Sequence, residues 1–123
     1  MILVIDDFAP QRHVRRRTLE GAGFIVREAA SAEEARQLVA TERPTLVLSD
    51  VGLRDSNGLA LCAEFKRLYP DLPVVLVTQS YRGMDVRQDA MAAGADAFLT
   101  EPVPRDQLVR VVRKLDGASR QDG

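Results

Sequence analysis

Four short apolar runs, each followed by polar residues, constrain the fold of this chain more than any other feature. The runs and the residues after them are Ile2 to Ile5 before Asp6 and Asp7, Leu46 to Ser49 before Asp50, Val74 to Val77 before Thr78, and Ala97 to Thr100 before Glu101. Uninterrupted apolar runs of this length are typical of parallel strands that are buried on both faces. The carboxyl ends of such strands meet at one edge of the sheet, where open α/β folds bind ligands. The carboxylates of Asp6, Asp7 and Asp50 and the hydroxyl of Thr78 suit a hard divalent cation and a phosphoryl group.

Helical segments separate these runs. Pro10 suits a first helical turn, and Ser31 to Glu34 has the spacing of a capping box. Asn57-Gly58 marks a turn before a third helix, and Pro104 precedes a helix with apolar residues at helical spacing. A weaker strand opens at Ile25-Val26. Five strands alternating with five helices predict one doubly wound α/β domain with a five-stranded parallel sheet covered by helices on both faces.

The first helix is expected to turn its apolar residues inward. Its predicted inner face consists of Val14, Thr18, Leu19 and Ala22. Its charged residues, assigned to the solvated face, are Arg12, His13, Arg15, Arg16 and Arg17. At the other end of the chain, residues 1–116 are predicted to form the domain, and residues 117–123 a polar tail or the start of a linker.

The composition excludes several classes of protein. The 123 residues carry 17 basic and 18 acidic side chains, a formal charge of −1 that does not fit direct nucleic-acid binding. No apolar stretch approaches the roughly 20 residues of a membrane span. The single cysteine, Cys62, is expected to be a small buried residue, which fits a reducing compartment. A cytoplasmic location is therefore expected.

Several motifs occur together in an order that is characteristic of one family. They are Asp6-Asp7 after the first strand, Asp50 after the third, Asn57-Gly58 beyond it, Thr78 after the fourth, and Gly94 to Leu99 leading to Pro102. With them the chain resembles the receiver domain of bacterial two-component response regulators over essentially its whole length. The resemblance implies a flavodoxin-like fold with strand order 2-1-3-4-5.

The resemblance also implies the role of each site residue. Asp50 would accept a phosphoryl group from a sensor histidine kinase or a phosphotransfer protein. Asp7, Asp50 and the backbone carbonyl of Gly52 would bind Mg²⁺ directly, with Asp6 acting mainly through water. Thr78 would bind a phosphoryl oxygen, and Phe98 would then rotate inward. This switch would alter the surface of the fourth helix, fifth strand and fifth helix, to which an output domain or partner protein would bind.

The chain departs from the family at Glu101, because receivers normally carry a lysine there that pairs with the phosphoryl group. Two like unit charges about 4 Å apart repel by about 4 kcal/mol at an effective dielectric constant near 20. That repulsion is absorbed if Glu101 points to solvent or pairs with an arginine. Arg54 and Arg82, in the loops after Asp50 and Thr78, are candidates for the missing cation. Gln79, which is bulkier than the usual residue, is expected to narrow access to Asp50.

Two interpretations follow. The first is a phosphoacceptor domain that is not an enzyme beyond self-phosphorylation and self-dephosphorylation. The second is a degenerate receiver that docks proteins without phosphorylation. Phosphatases of the haloacid dehalogenase type require an Asp-x-Asp pair, whereas Phe8-Ala9 follow Asp7 here. A stand-alone regulator, a segment of a larger protein and a homodimer are all compatible with the sequence.

Overall fold

The strands and helices alternate along the whole described chain. The computed structural model describes residues 1–53, 55–79 and 83–120. The elements are β1 (Ile2–Ile5), α1 (Ala9–Gly21), β2 (Val26–Ala29), α2 (Ala32–Thr41), β3 (Leu46–Asp50), α3 (Gly58–Leu68), β4 (Val74–Thr78), α4 (Gly83–Ala92), β5 (Ala97–Thr100) and α5 (Arg105–Arg120). The strands pair in parallel in the order β2-β1-β3-β4-β5. The predicted fold class and strand order are confirmed.

The strand register brings the polar residues to the same level of the sheet. Ile5 pairs with Ser49, so Asp6 and Asp50 follow side by side on adjacent strands. On the other side of β3, Asp50 pairs with Val77, and Thr78 is the next residue of β4. Because all five strands run in the same direction, these side chains meet at one edge.

The sheet is buried on both faces by two apolar clusters. One cluster, on the side of α2, α3 and α4, contains Leu3, Ile5, Val47, Leu76 and the ring of Phe65. The other, on the side of α1 and α5, contains Ile2, Val4, Leu48, Val77, Leu19 and Val112. Double-sided burial explains why the strands read as continuous apolar runs rather than as alternating ones. It also makes the sheet a rigid platform for the polar residues at its edge.

Local sequence signals fix the helix ends. The Ser31 hydroxyl accepts a hydrogen bond from the amide of Glu34 (3.1 Å), as the capping-box spacing predicts. Asn57 caps α3 in the same way, through the amide of Ala60 (2.7 Å). The carboxylate of Asp55 accepts hydrogen bonds from two amides of the first turn of α2, at 3.0 and 3.1 Å. The loop that follows Asp50 is thereby attached to a neighbouring helix.

Two expectations about the helices need correction or extension. In α1, Val14 is 53% exposed while Arg15 is only 4% exposed, so the predicted inner face was wrong at this turn. Arg15 is buried because its guanidinium binds carboxylates, as described below. The helix α5 continues to Arg120, so residues 117–120, assigned to the tail, are helical. In the described part of the chain, every helix is too short or too polar to cross a membrane.

Cys62 is buried on α3, and its thiol donates a hydrogen bond to the carbonyl of Ala93. Burial raises the pKa of the thiol to about 11. Since the thiolate is the reactive form, we expect no alkylation of the folded protein by iodoacetamide at pH 8 and rapid alkylation in urea. Mass spectrometry of the two samples tests this, and fast labelling of the folded protein would contradict it.

Candidate functional site

The carboxyl edge of the sheet holds an open cavity of about 550 Å³. Its lining combines residues from the ends of β1, β3 and β4 with one residue of α1: Asp6, Asp7, Phe8, Gln11, Asp50, Gly52, Thr78 and Gln79. The structure thus brings together five of the residues that the sequence predicted for the site. The cavity is lined by three carboxylates and a hydroxyl, which is an oxygen-rich donor set.

Asp50 is the last residue of β3 and is half-buried in this cavity. Among the described residues, its buried Oδ1 atom has no hydrogen-bond partner. Burial is the main cause that raises the pKa of this carboxyl to about 6, and the negative charge of Asp6 adds to it. Arg15 and the amide of Gly52 act in the opposite direction. Asp50 is therefore a carboxylate whose charge is poorly compensated until a cation binds.

Asp6 is buried, with 1% of its surface exposed, and both of its carboxylate oxygens are engaged. Oδ1 accepts a hydrogen bond from the amide of Phe8 at 2.9 Å, and Oδ2 accepts one from Nη1 of Arg15 at 3.0 Å. Burial raises the pKa of Asp6, while the Phe8 amide and Arg15 oppose that rise. The orientation of Asp6 is thus fixed from α1.

The loop after Asp50 is held in place by a close backbone contact. Gly52 and Asn57 form an isolated antiparallel bridge across this loop. A Cβ atom at Gly58, the first residue of α3, would lie 2.3 Å from the carbonyl oxygen of Asp50 and 2.9 Å from Cα of Val51. Only glycine fits there, so the Asn57-Gly58 pair sets the position of the candidate phosphoacceptor as well as the turn.

Glu101 lies apart from this cavity. Within the described part of the chain, it lines a second cavity of about 430 Å³ between α1 and α5, together with Arg15. Its Oε1 accepts a hydrogen bond from Nη2 of Arg15 at 3.0 Å, and its Oε2 accepts one from the amide of Val103 at 3.0 Å. Of the two ways proposed for absorbing the charge of Glu101, pairing with an arginine is the one found.

The prediction that all arginines of α1 lie on a solvated face was wrong for two of them. Arg15 joins the carboxylates of Asp6 and Glu101. Arg12 is largely buried as well, because it donates to the backbone carbonyl of Asp6 (2.8 Å) and to Glu28 of β2 (2.7 Å). His13, which is half-exposed, also contacts Glu28. One sequence signal could have revealed Arg15: it lies four residues before the buried Leu19, on the inner face of the helix.

Of the remaining predicted residues, Thr78 and Gln79 line the cavity and Phe98 lies on the neighbouring strand β5. Thr78 ends β4 and is 5% exposed. Phe98, on β5, is half-buried and packs against the apolar cluster on the α3 side of the sheet. The side-chain amide of Gln79 donates a hydrogen bond to that of Gln11, so two residues of the cavity lining join β4 to α1. Arg54 and Arg82 lie outside the described residues.

The donor set fits Mg²⁺, although the residues that the structure describes form no preformed cage. Within the described residues, no three His, Cys, Asp or Glu side chains meet in the arrangement of a metal site. Mg²⁺ usually keeps several waters and takes only one or two carboxylates directly, so a complete protein cage is not required. The buried, unpartnered Oδ1 of Asp50 is the atom that such a cation would satisfy.

Sequence comparisons place this arrangement among known proteins. A family model for the response regulator receiver domain matches residues 2–113. The C4-dicarboxylate transport transcriptional regulatory protein DctD of Rhizobium meliloti is 34% identical over 97% of this chain, which spans 26% of that relative. Response regulator MprA of Mycolicibacterium vanbaalenii is 33% identical over 93% of this chain, which spans 49% of MprA. The chain therefore covers half or less of the length of these two relatives.

Solved structures agree with the sequence comparisons. A CheY-like response regulator receiver domain protein from Methanospirillum hungatei superposes with a TM-score of 0.91 at 27% identity, covering 99% of this chain and 97% of that one. The receiver domain of NtrX from Brucella abortus gives a TM-score of 0.89 at 31% identity, covering 95% and 98%. Fold, site geometry and family model agree, and the chain belongs to the response regulator receiver domain family, the signalling modules of two-component systems.

Proposed function

We propose that this domain accepts a phosphoryl group on Asp50 from a sensor histidine kinase or a phosphotransfer protein, with Mg²⁺ bound beside it. The observation that carries the proposal is the half-buried Asp50 carboxylate at the end of β3, whose Oδ1 has no hydrogen-bond partner among the described residues. Asp6, Asp7 and Thr78 line the same cavity, which opens to solvent and so admits a donor. The likeness to receiver domains supports the same role.

The transfer follows from the chemistry of the carboxylate. An oxygen of Asp50 attacks the phosphorus of the donor phosphohistidine, a new O–P bond forms, and the P–N bond breaks with its electron pair going to the imidazole. The product is an acyl phosphate and the donor histidine, so the phosphoryl group is moved without oxidation or reduction. Thr78, at the end of the neighbouring strand β4, would donate its hydroxyl to an oxygen of the transferred group.

A bound Mg²⁺ would supply the positive charge that offsets repulsion between the carboxylates and the phosphoryl oxygens. Asp7, Asp50 and the carbonyl of Gly52 would hold it, since all three residues line the cavity. Asp6 would contribute mainly through water, as the likeness to receiver domains implies. Its two oxygens also accept hydrogen bonds from the amide of Phe8 and from Arg15, which hold the carboxylate in place.

The phosphorylated state would be read out on the surface of α4, β5 and α5. Phe98 belongs to β5, which pairs with β4, and the register partner of Thr78 is Thr100, two residues after Phe98. A shift of Thr78 would therefore reach Phe98 along β5. A partner protein or output domain would bind this surface in the cytoplasm. Such a readout is a shift of population between two conformations, biased by the charge at Asp50.

Incubation with acetyl phosphate and Mg²⁺ tests the proposal. We expect a mass increase of one phosphoryl group in the intact protein, which EDTA abolishes, and we expect none in Asp50→Asn. Asp71→Asn is the matched control, since Asp71 is an exposed acid in the loop before β4, and it should label like the wild type. Failure of the wild type to label would refute the phosphoacceptor function, as would undiminished labelling of Asp50→Asn.

A further inference from the structure

Arg15 is the one described arginine that the structure places between the cavity of Asp50 and the aberrant acid, Glu101. Its side chain is 4% exposed, and its two terminal nitrogens each lie 3.0 Å from a carboxylate, Asp6 on one side and Glu101 on the other. A buried guanidinium needs such partners, because removing an unpaired charge from water is costly. Arg15 is therefore held in place by Asp6, which follows β1, and by Glu101, which follows β5.

The contact with Arg15 sets where the Glu101 carboxylate points and offsets its negative charge. One carboxylate oxygen of Glu101 is held by Arg15 and the other by the amide of Val103. With both oxygens engaged, Glu101 faces the cavity between α1 and α5 and not the one around Asp50. The guanidinium carries one positive charge against the two carboxylates that it contacts, so Asp6, Arg15 and Glu101 together have the same net charge as Asp6 alone. An incoming phosphoryl group would therefore not meet an uncompensated fourth carboxylate.

We propose that Arg15 is a positioning residue for the chemistry at Asp50: it neutralises Glu101 and holds it out of the phosphoryl-binding cavity. The proposal rests on the phosphoacceptor function proposed above. It develops the alternative that an arginine pairs with Glu101, and it is separate from the prediction that Arg54 or Arg82 supplies the cation that contacts the phosphoryl group. Arg15 does not line the cavity around Asp50 among the described residues, so it acts through Glu101 and through its own charge, without contacting the phosphoryl group.

A charge role and a merely structural role predict different responses to Arg15→Met. Removing the positive charge leaves the pocket more negative, so an anionic phosphodonor should react more slowly while the cation Mg²⁺ should bind more tightly. A disordered site would lose both properties together. One unit charge at roughly 10 Å and an effective dielectric constant near 20 corresponds to a change of about tenfold in each quantity.

The decisive experiment measures the acetyl phosphate labelling rate and the Mg²⁺ dissociation constant, by NMR titration, on a set of variants of the 123-residue chain. For Arg15→Met we expect about tenfold slower labelling and tighter Mg²⁺ binding. For Glu101→Gln we expect faster labelling and weaker Mg²⁺ binding. The double variant Arg15→Met with Glu101→Gln restores the local charge and should label near the wild-type rate. Arg17→Met, an exposed arginine of the same helix, is the control and should change neither quantity.

Three results would overturn the proposal. The first is labelling of Arg15→Met at the rate of Arg17→Met. The second is a parallel loss of labelling and Mg²⁺ binding in Arg15→Met that Glu101→Gln does not rescue. The third, which applies even if Arg15→Met does not fold, is unchanged labelling and Mg²⁺ affinity in Glu101→Gln. If the wild type is never labelled, the phosphoacceptor function fails, whereas the Mg²⁺ measurements still test the charge role of Arg15.

Discussion

Replacing Gly58 by alanine is expected to destabilise the domain by about 1–3 kcal/mol, although alanine is the better helix former. The new Cβ would lie 2.3 Å from the carbonyl oxygen of Asp50, 2.9 Å from Cα of Val51 and 3.1 Å from the carbonyl carbon of Asp50. All three atoms belong to the backbone, so no flexible side chain can move aside. Either the first turn of α3 or the end of β3 must shift. Urea denaturation measures the loss as a lower midpoint at unchanged slope.

Gly117→Ala is the matched control for this prediction. Gly117 lies in α5, and a Cβ there would meet no atom within 4 Å. The same substitution should therefore stabilise the domain by up to about 1 kcal/mol, through helix propensity alone. Because the Gly58 contact is with Asp50 itself, Gly58→Ala should also slow labelling of Asp50 while Gly117→Ala does not. Equal stability changes in the two variants would show that the close contact at Gly58 carries no energetic weight.

The fold was predictable from the sequence because its determinants are local and repeated. Apolar runs buried on both faces, a capping box at Ser31 and the Asn57-Gly58 turn each report the structure of a few neighbouring residues. Parallel strands then bring their ends together whatever the loop details, which is why Asp6, Asp50 and Thr78 converge as expected. The position of each residue at the site edge follows from strand register alone.

The electrostatics of the site were less predictable, because they depend on contacts between distant segments. Hydropathy assigned Val14 inward and Arg15 outward, yet the structure does the reverse. Arg15 is buried only because one partner lies 9 residues before it in the chain and the other 86 residues after it. A pattern within one helix carries no information about such partners. The burial of Arg15 and the acid at position 101 are explained by the ion pair between them.

The same buried charges predict how the stability of the domain depends on pH. In EDTA, we expect the free energy of unfolding of the wild type, relative to that of Asp50→Asn, to fall as the pH rises from about 4 to 6. Burial and the charge of Asp6 raise the pKa of Asp50 from 3.8 to about 6, so the folded state holds this proton more tightly than the unfolded state does. The stabilisation is therefore complete below pH 3.8 and lost above about 6.

The size of this effect follows from the same shift. At about 1.4 kcal/mol per pH unit, the pKa shift of Asp50 corresponds to about 3 kcal/mol in the free energy of unfolding. Because the carboxylate is only half-buried, solvent screening reduces this to about 1–2 kcal/mol. The amide introduced by Asp50→Asn carries no charge at any pH, so this variant should be more stable than the wild type by that amount at pH 7.5 in EDTA. Urea denaturation of both proteins across pH 4 to 7.5 measures the difference, and Asp71→Asn, which alters an exposed carboxylate, should follow the wild type.

Addition of Mg²⁺ at pH 7.5 should reverse this order of stability. A ligand that binds the folded state stabilises it in proportion to the logarithm of its concentration over its dissociation constant, by about 2.7 kcal/mol at 100-fold excess. The wild type gains this stabilisation because the ionised Asp50 attracts Mg²⁺, whereas Asp50→Asn lacks the negative charge at this position and gains less. A wild type that is already the more stable protein in EDTA would mean that Asp50 is compensated without a cation. The uncompensated negative charge that favours cation binding at this carboxylate would then be absent.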